Sequence, residues 1–459
     1  MITRSLLLSA VLLSSCSIEH KPVLDVEPLR TEIVFSNVRV IPMDRDTVLD
    51  NQIVVAKDGK ITAIGEAGLV SFGDDALVID ATGKYLMPGL AEMHAHVPPV
   101  DDLEPMEEVL ALFALNGVTT IRGMLGYPKH LELRDKIRSG EITGPRFYTA
   151  GPPLDGDNIK TPAEAVAAVR AQKRAGYDFI KILMPGLTKE CFDALAATAK
   201  EVNMPFAGHV PPQVGARGAI EAGYATIDHM DGFIESMVPG IDKMSTEEVG
   251  LFGMFVADRA DTSQMPALVR ALSDHHIGVV PTQSLAERWF APGRSSASLA
   301  AEPEMQYVKP KELKNWAATK NEIMTDARYD SLTLVRFTQI RRKMIAECNK
   351  AGVLLLLGSD APQVFNVPGF SLHHELQYLV DAGLTPYEAL RTGTVNAAFF
   401  FKKGDASVVK TGAVSDLILL NANPLEDISN SRSIEGVLLG DRWFSKNFIE
   451  RTLNALRKE

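Results

Sequence analysis

The sequence is short of cysteine, of aromatic residues and of positive charge. Three cysteines in 459 residues do not make a disulfide framework. Lys and Arg number 47 against 58 Asp and Glu, a formal net charge of −11, and no basic tract is present that would follow a phosphate backbone; no nucleic-acid partner is expected. The apolar run near the N-terminus, Leu6 to Leu13, is far shorter than the ~20 residues that cross a bilayer as a helix. No Gly-rich dinucleotide loop follows the first strand of the central region, which argues against a doubly wound nucleotide fold. What is there, 46% hydrophobic and 23% charged residues, is the balance of a globular enzyme long enough for two or three domains.

Residues 1–16 stand apart. Arg4 supplies a positive start, Leu6 to Leu13 an apolar stretch, and Leu13-Ser14-Ser15-Cys16 ends in small residues before a cysteine. This resembles the bacterial lipobox, which implies lipid attachment at Cys16, export across the inner membrane and, with Ser17 next, an outer-membrane anchor facing the periplasm. Residues 17–30, polar with Pro22 and Pro28, read as a tether. Cys191 and Cys348 fall in apparent helices and are expected as buried thiols.

From Thr31 the pattern is β, with Asp58-Gly59 as a hairpin signal. Short strands return near Leu417 and Ile434, so a small β domain is expected from both flanks, residues 31–86 and 406–447, with 448–459 as a tail. Between them, residues 87–405 alternate strands with helical patterns such as Pro162 to Ala175 and Leu332 to Lys350. Eight such repeats predict an α/β fold, a (β/α)8 TIM barrel with a small discontinuous β-sandwich domain. Two long connections, Met230 to Gln264 and Ser284 to Ser331, would hang from the C-terminal rim. The second carries Trp289, Phe290, Arg294, Tyr307 and Trp316, which either meet substrate or pack the insertion.

The chain centres on Tyr85-Leu-Met-Pro-Gly-Leu-Ala-Glu-Met-His94-Ala-His96. On a strand, His94 and His96 share a face about 6.5 Å apart, a spacing that suits one divalent metal. Later strand ends add Lys181, His209, His229 and Asp360. A closed barrel brings these positions to one face, where four imidazoles, a carboxylate and a lysine make chemical sense around cations. His373 and His374 are adjacent on an apparent helix and so cannot jointly grip one ion; both are expected to be structural.

Met87-Pro-Gly-Leu-Ala-Glu-Met-His-Ala-His, Gly208-His, Asp228-His, Gly358-Ser-Asp and the lysine strand, with Ala382-Gly-Leu-Thr-Pro-Tyr-Glu-Ala-Leu-Arg-Thr-Gly-Thr and Asn423-Pro-Leu-Glu-Asp-Ile, resemble the amidohydrolase superfamily in its binuclear-metal form. The resemblance covers nearly the whole chain after residue 30. It implies two divalent ions, usually zinc, with His94, His96 and Asp360 on one, His209 and His229 on the other, and Lys181 bridging them as a CO2-derived carbamate. It implies amide hydrolysis by an activated water, with Asp360 moving the proton.

Among superfamily members the chain is similar to prolidase-like and imidazolonepropionase-like enzymes, and Lys181 favours the former, which act on dipeptides or N-acyl amino acids. Pro211 stands where dipeptidase relatives often carry tyrosine, and Arg122-Gly123 where they often carry Arg-Asp. Arg122 and Arg217 are the candidates for binding a substrate carboxylate. A cyclic amide, a lactone or a phosphoester stays open as substrate, as does a catalytically silent metal-binding lipoprotein. A homo-oligomer is compatible with the sequence.

Overall fold

The computed structural model describes residues 22–404 and 406–458; Cys16 and the lipobox lie outside the described residues. Strands β1 (Ile33–Val40), β2 (Leu49–Lys57), β3 (Lys60–Glu66), β4 (Leu77–Asp80) and β5 (Tyr85–Pro88) begin the chain. Seven short parallel strands follow: β6 (Leu90–Ala95), β7 (Val118–Gly123), β8 (Arg146–Thr149), β9 (Ile180–Ile182), β10 (Phe206–Gly208), β11 (Thr226–Asp228) and β12 (Gly278–Val280). An eighth segment closes the barrel through parallel bridges Val279↔Leu355 and Ala95↔Ala361. Strands β13 (Leu417–Leu420), β14 (Ile434–Leu439) and β15 (Arg442–Ser445) complete the small domain in the order β15-β14-β13-β5-β1-β2-β3, with β4 beside β1.

The helices match their sequence signals. Thr161 and Glu164 form a reciprocal capping box ahead of Pro162–Ala175, and Gly176 ends that helix in a left-handed conformation. The helix expected from Leu332 to Lys350 runs Ser331–Lys350, capped by Asp330 on the amides of Leu332 and Thr333.

One pairing joins the domains. β13 runs antiparallel to β5, with Ile418 opposite Met87. Side chains alternate across a strand, so Leu417, Leu419 and Leu86 enter the core of the small domain while Ile418, Leu420 and Met87 enter that of the barrel. A continuous Leu-Ile-Leu-Leu run is what a strand buried on both faces requires.

Three expectations at the edges are corrected. β5 places residues 87 and 88 in the small domain's sheet. Residues 22–30 do not hang free as a tether: Leu24 is buried in an apolar cluster, and the Leu29 amide donates to the Asp441 carbonyl. The expected tail is mostly helix, Lys446–Ala455, with Ile449 and Leu456 buried in the same cluster.

Candidate metal centre and cleft

All six side chains singled out in the sequence sit on the barrel's C-terminal rim or just inside it. His94 lies next to the end of β6 and is buried; its ring centroid lies 4.4 Å from that of His229 and 5.4 Å from that of His96. The His209 and His229 rings stack at 4.7 Å. Asp360 Oδ1 stands 2.6 Å from His96 Nε2 and 3.4 Å from His94 Nε2, and its Oδ2 3.8 Å from His229 Nδ1. Ligand atoms of His94, His229 and Asp360 all fall within 4.8 Å of one another.

Backbone turns aim two of these groups. His229 (φ 62) and Asp360 (φ 64) adopt left-handed conformations uncommon for residues with a side chain. Each lies where its strand gives way to a loop, so the turn rather than strand alternation directs the side chain. Gly208 has a different task. A Cβ there would come within 2.7 Å of Lys181 Cδ and 2.5 Å of the Ile182 carbonyl, so only glycine leaves the lysine its channel.

Lys181 is 1% exposed, and its side chain makes no hydrogen bond or ion pair among the described residues. Burial lowers its pKa, against the pull of Asp228 and Asp360. Burial likewise holds the His94 and His229 imidazoles well below their usual range, with the Lys181 and His94 charges next in effect on His94 and His229 respectively. Neutral imidazoles are the form that binds metal.

A further layer of groups, not assigned from the sequence, orients these residues. Asp228 Oδ2 lies 3.1 Å from His94 Nδ1, yet the alignment makes no hydrogen bond and Nδ1 is left unpartnered. Asp231 Oδ2 faces His209 Nδ1 at 3.0 Å and accepts from the Val210 amide. Thr282 Oγ1 stands 2.9 Å from His229 Nδ1. Buried Arg341 donates to the His229 and Pro281 carbonyls, at 2.6 Å each. Glu92 accepts from the His94 and Ser359 amides, tying the first strand to the eighth; burial pushes its carboxyl up to about 8. Asp228 and Glu92 stood beside the histidines in their motifs, which was the available signal; Thr282 and Arg341 left none.

Arg122 is corrected as a substrate contact. It is 1% exposed, donates to the Met93 carbonyl, Thr226 and both Asp228 oxygens, and is flanked by the Phe179 and Phe400 rings. It holds Asp228 in place and is closed to ligand. Arg217 is exposed on its helix and does not line the cleft described next. The insertion aromatics pack inward: Phe290 against Phe252 and Phe337, Tyr307 on Phe370, Trp316 on Phe365, Trp289 on Phe290. Arg294 pairs with Glu302 at 2.6 Å. Cys191 and Cys348 are free and buried, as expected.

A cleft of about 980 Å³ opens onto His209 and Asp231. Its walls come largely from the first insertion, including Met244, Phe252 and Phe255, and none of the second insertion's five marked residues reaches it.

Two features fit a divalent-metal centre: a buried lysine with no counter-charge in contact, and the His94 and His229 imidazoles held neutral beside the Asp360 carboxylate. Barrel, rim site and split β domain together define a barrel hydrolase architecture. The amidohydrolase family profile matches residues 85–443, and the chain belongs to that family. It is similar to an enamidase of Eubacterium barkeri, 35% identical over 98 residues, 21% of this chain and only 25% of that enzyme. In fold it is similar to a putative prolidase from Bifidobacterium longum (TM-score 0.66, 22% identity, 94% of this chain and 100% of the other). It is also similar to a bottromycin amidohydrolase (TM-score 0.69, 20% identity, 93% and 91%).

Proposed function

We propose that the protein is a metal-dependent hydrolase of an amide C–N bond. The observation that carries this reading is the convergence of four histidines, Asp360 and the unpaired Lys181 at one barrel mouth beside an apolar cleft. His94, His96 and Asp360 would hold one divalent ion, His209 and His229 a second, and Lys181, as a CO2-derived carbamate, would join them; zinc suits the imidazole and carboxylate donors. Such ions would make hydroxide available from water at neutral pH and polarise the scissile carbonyl.

The chain's own residues do the rest. Asp360, held between His96 and His94, takes the proton of the attacking water and passes it to the leaving nitrogen. Asp231 and Thr282 fix the ring orientation of His209 and His229 through Nδ1. Desolvation around Lys181 favours the neutral amine that carbamate formation needs.

Dipeptides and N-acyl amino acids are the substrates to try first, in keeping with the similarity to a putative prolidase. The test is a panel of these amides, with lactones as controls, on metal-loaded protein. Turnover of amides that chelators abolish and zinc restores supports the reading; cleavage of lactones alone overturns it. The Cys16 motif supports a further proposal, a lipid anchor. Cys16→Ser should move the protein from the membrane to the soluble periplasmic fraction, and a soluble wild type would refute the anchor.

A further inference from the structure

The cleft is acidic as well as apolar. The titratable groups lining it are His209, Asp231, Glu235, Asp242, Glu247 and Arg328. Arg328 is the only Lys or Arg among them, and its guanidinium is already engaged: it pairs with Asp326, donates to the Glu247 carbonyl and lies over the Phe255 ring. Among the described residues, then, no unengaged lysine or arginine lines the cleft to receive a substrate carboxylate.

Glu235 is the exception among the carboxylates. It follows His229 by six residues on the loop after β11, next to Asp231, which itself holds His209. Its Oε2 is buried with no hydrogen-bond partner. Gly253 lies against it: an added Cβ there would meet Glu235 Cδ at 3.3 Å. A buried carboxylate oxygen without a donor is costly unless something supplies one.

We propose that Glu235 is the specificity-determining residue of this cleft and that the substrate presents a cationic group, an ammonium or a guanidinium, to its carboxylate on an apolar stem. Ile241, Met244, Phe252 and Phe255 give the stem its wall. This deepens the amide-hydrolase reading and rests on it for the reacting bond. Burial and the neighbouring Asp231 push the Glu235 carboxyl up to about 8, and a cation bound beside it would pull that value down and hold the ionised form. A carboxylate-bearing side chain would find no unengaged lysine or arginine among the described residues that line the cleft.

The test compares two amides that differ at one end, N-acetyl-1,4-diaminobutane and N-acetylpentylamine, on metal-loaded wild type and Glu235→Gln. Discrimination is read as kcat/KM where they are cleaved and as binding by calorimetry in either case. The wild type should prefer the ammonium compound by about tenfold or more, and Glu235→Gln should bring the two within about threefold through a loss that falls mainly on the ammonium compound. Equal handling of both by the wild type, or a loss in Glu235→Gln shared equally by both, overturns the proposal. Selective, Glu235-dependent binding without any amide cleavage would uphold the cation site and refute the amide-hydrolase reading; cleavage without selectivity would do the reverse.

Discussion

Among the described residues, two groups of side chains have donor geometry for a metal. His94, His229 and Asp360 meet at the barrel mouth; Glu302, Glu304 and His374 meet in and beside the second insertion, and in each trio the ligand atoms lie within 4.8 Å. Their surroundings differ. In the second, Arg288 pairs with Glu302 and stands 3.7 Å from Glu304, Arg294 takes Glu302, and His374 Nε2 lies 2.7 Å from Glu304 Oε1. Burial works against the Glu304 charge, but His374 and Arg288 hold its carboxyl down to about 2. That group is already neutralised. The first has one carboxylate facing neutral imidazoles and, beside it, a buried lysine without a counter-ion. Distance alone does not mark a metal site; the unmet charge and hydrogen-bonding capacity of the group does.

The contrast is broken or sharpened most sharply at Asp360. Asp360→Asn keeps the shape and removes the base, so turnover on a cleaved amide should fall roughly 10²–10⁴-fold. Steady-state rates on metal-loaded protein check this, and near-normal turnover would remove Asp360 from the assigned role.

Next in size is the group behind the site. Arg122→Met leaves Asp228 buried without its cation, and such a break costs about 3–5 kcal/mol. Denaturant unfolding of the metal-free protein should show it; a loss under 1 kcal/mol would mean Asp228 is satisfied without Arg122.

The second group should respond in the opposite sense to the first. Glu304→Gln should lower stability by about 1–3 kcal/mol through the lost charge-assisted bonds, with metal content unchanged by elemental analysis. A loss of bound metal there would erase the distinction drawn between the two groups.

The smallest effect lies at His373. Both of its ring nitrogens are bonded, to Ser431 Oγ and the Asn116 carbonyl, and burial lowers its pKa to about 3. Against an unfolded value of about 6.5, its contribution is fully present above that pH and is lost as pH falls towards 3. Between pH 6.5 and 5, stability should drop by at most about 1.4 kcal/mol per pH unit on its account. His373→Asn should flatten the profile by that slope, and an unchanged slope would contradict it.

The sequence carried the periodic and the local parts of this structure. Helix Pro162–Ala175 was legible to the residue because its capping threonine, first-turn proline and terminal glycine are all encoded within it. The rim histidines, Lys181 and Asp360 were legible because strand ends converge in a closed barrel. The partners of a buried charge were not. Arg122 and Asp228 are 106 residues apart and meet only across the barrel interior, so sequence shows an arginine near a rim and not a sealed one. The second insertion's aromatics had the residue types of a binding wall, but the first insertion supplied it, and a loop's direction follows from tertiary packing rather than from its composition. Residues 22–30 read as polar tether because charged residues and two prolines interrupt Val23, Leu24, Val26 and Leu29, leaving no periodic signal to announce docking.

Metal content tests the two-ion centre most directly. Elemental analysis after gentle purification should find about two divalent ions per chain in the wild type, a clear fall in Lys181→Ala, which removes the bridge, and no change in His374→Ala. One ion or none in folded, active wild-type protein would contradict the two-ion centre, and so would loss of metal on replacing His374.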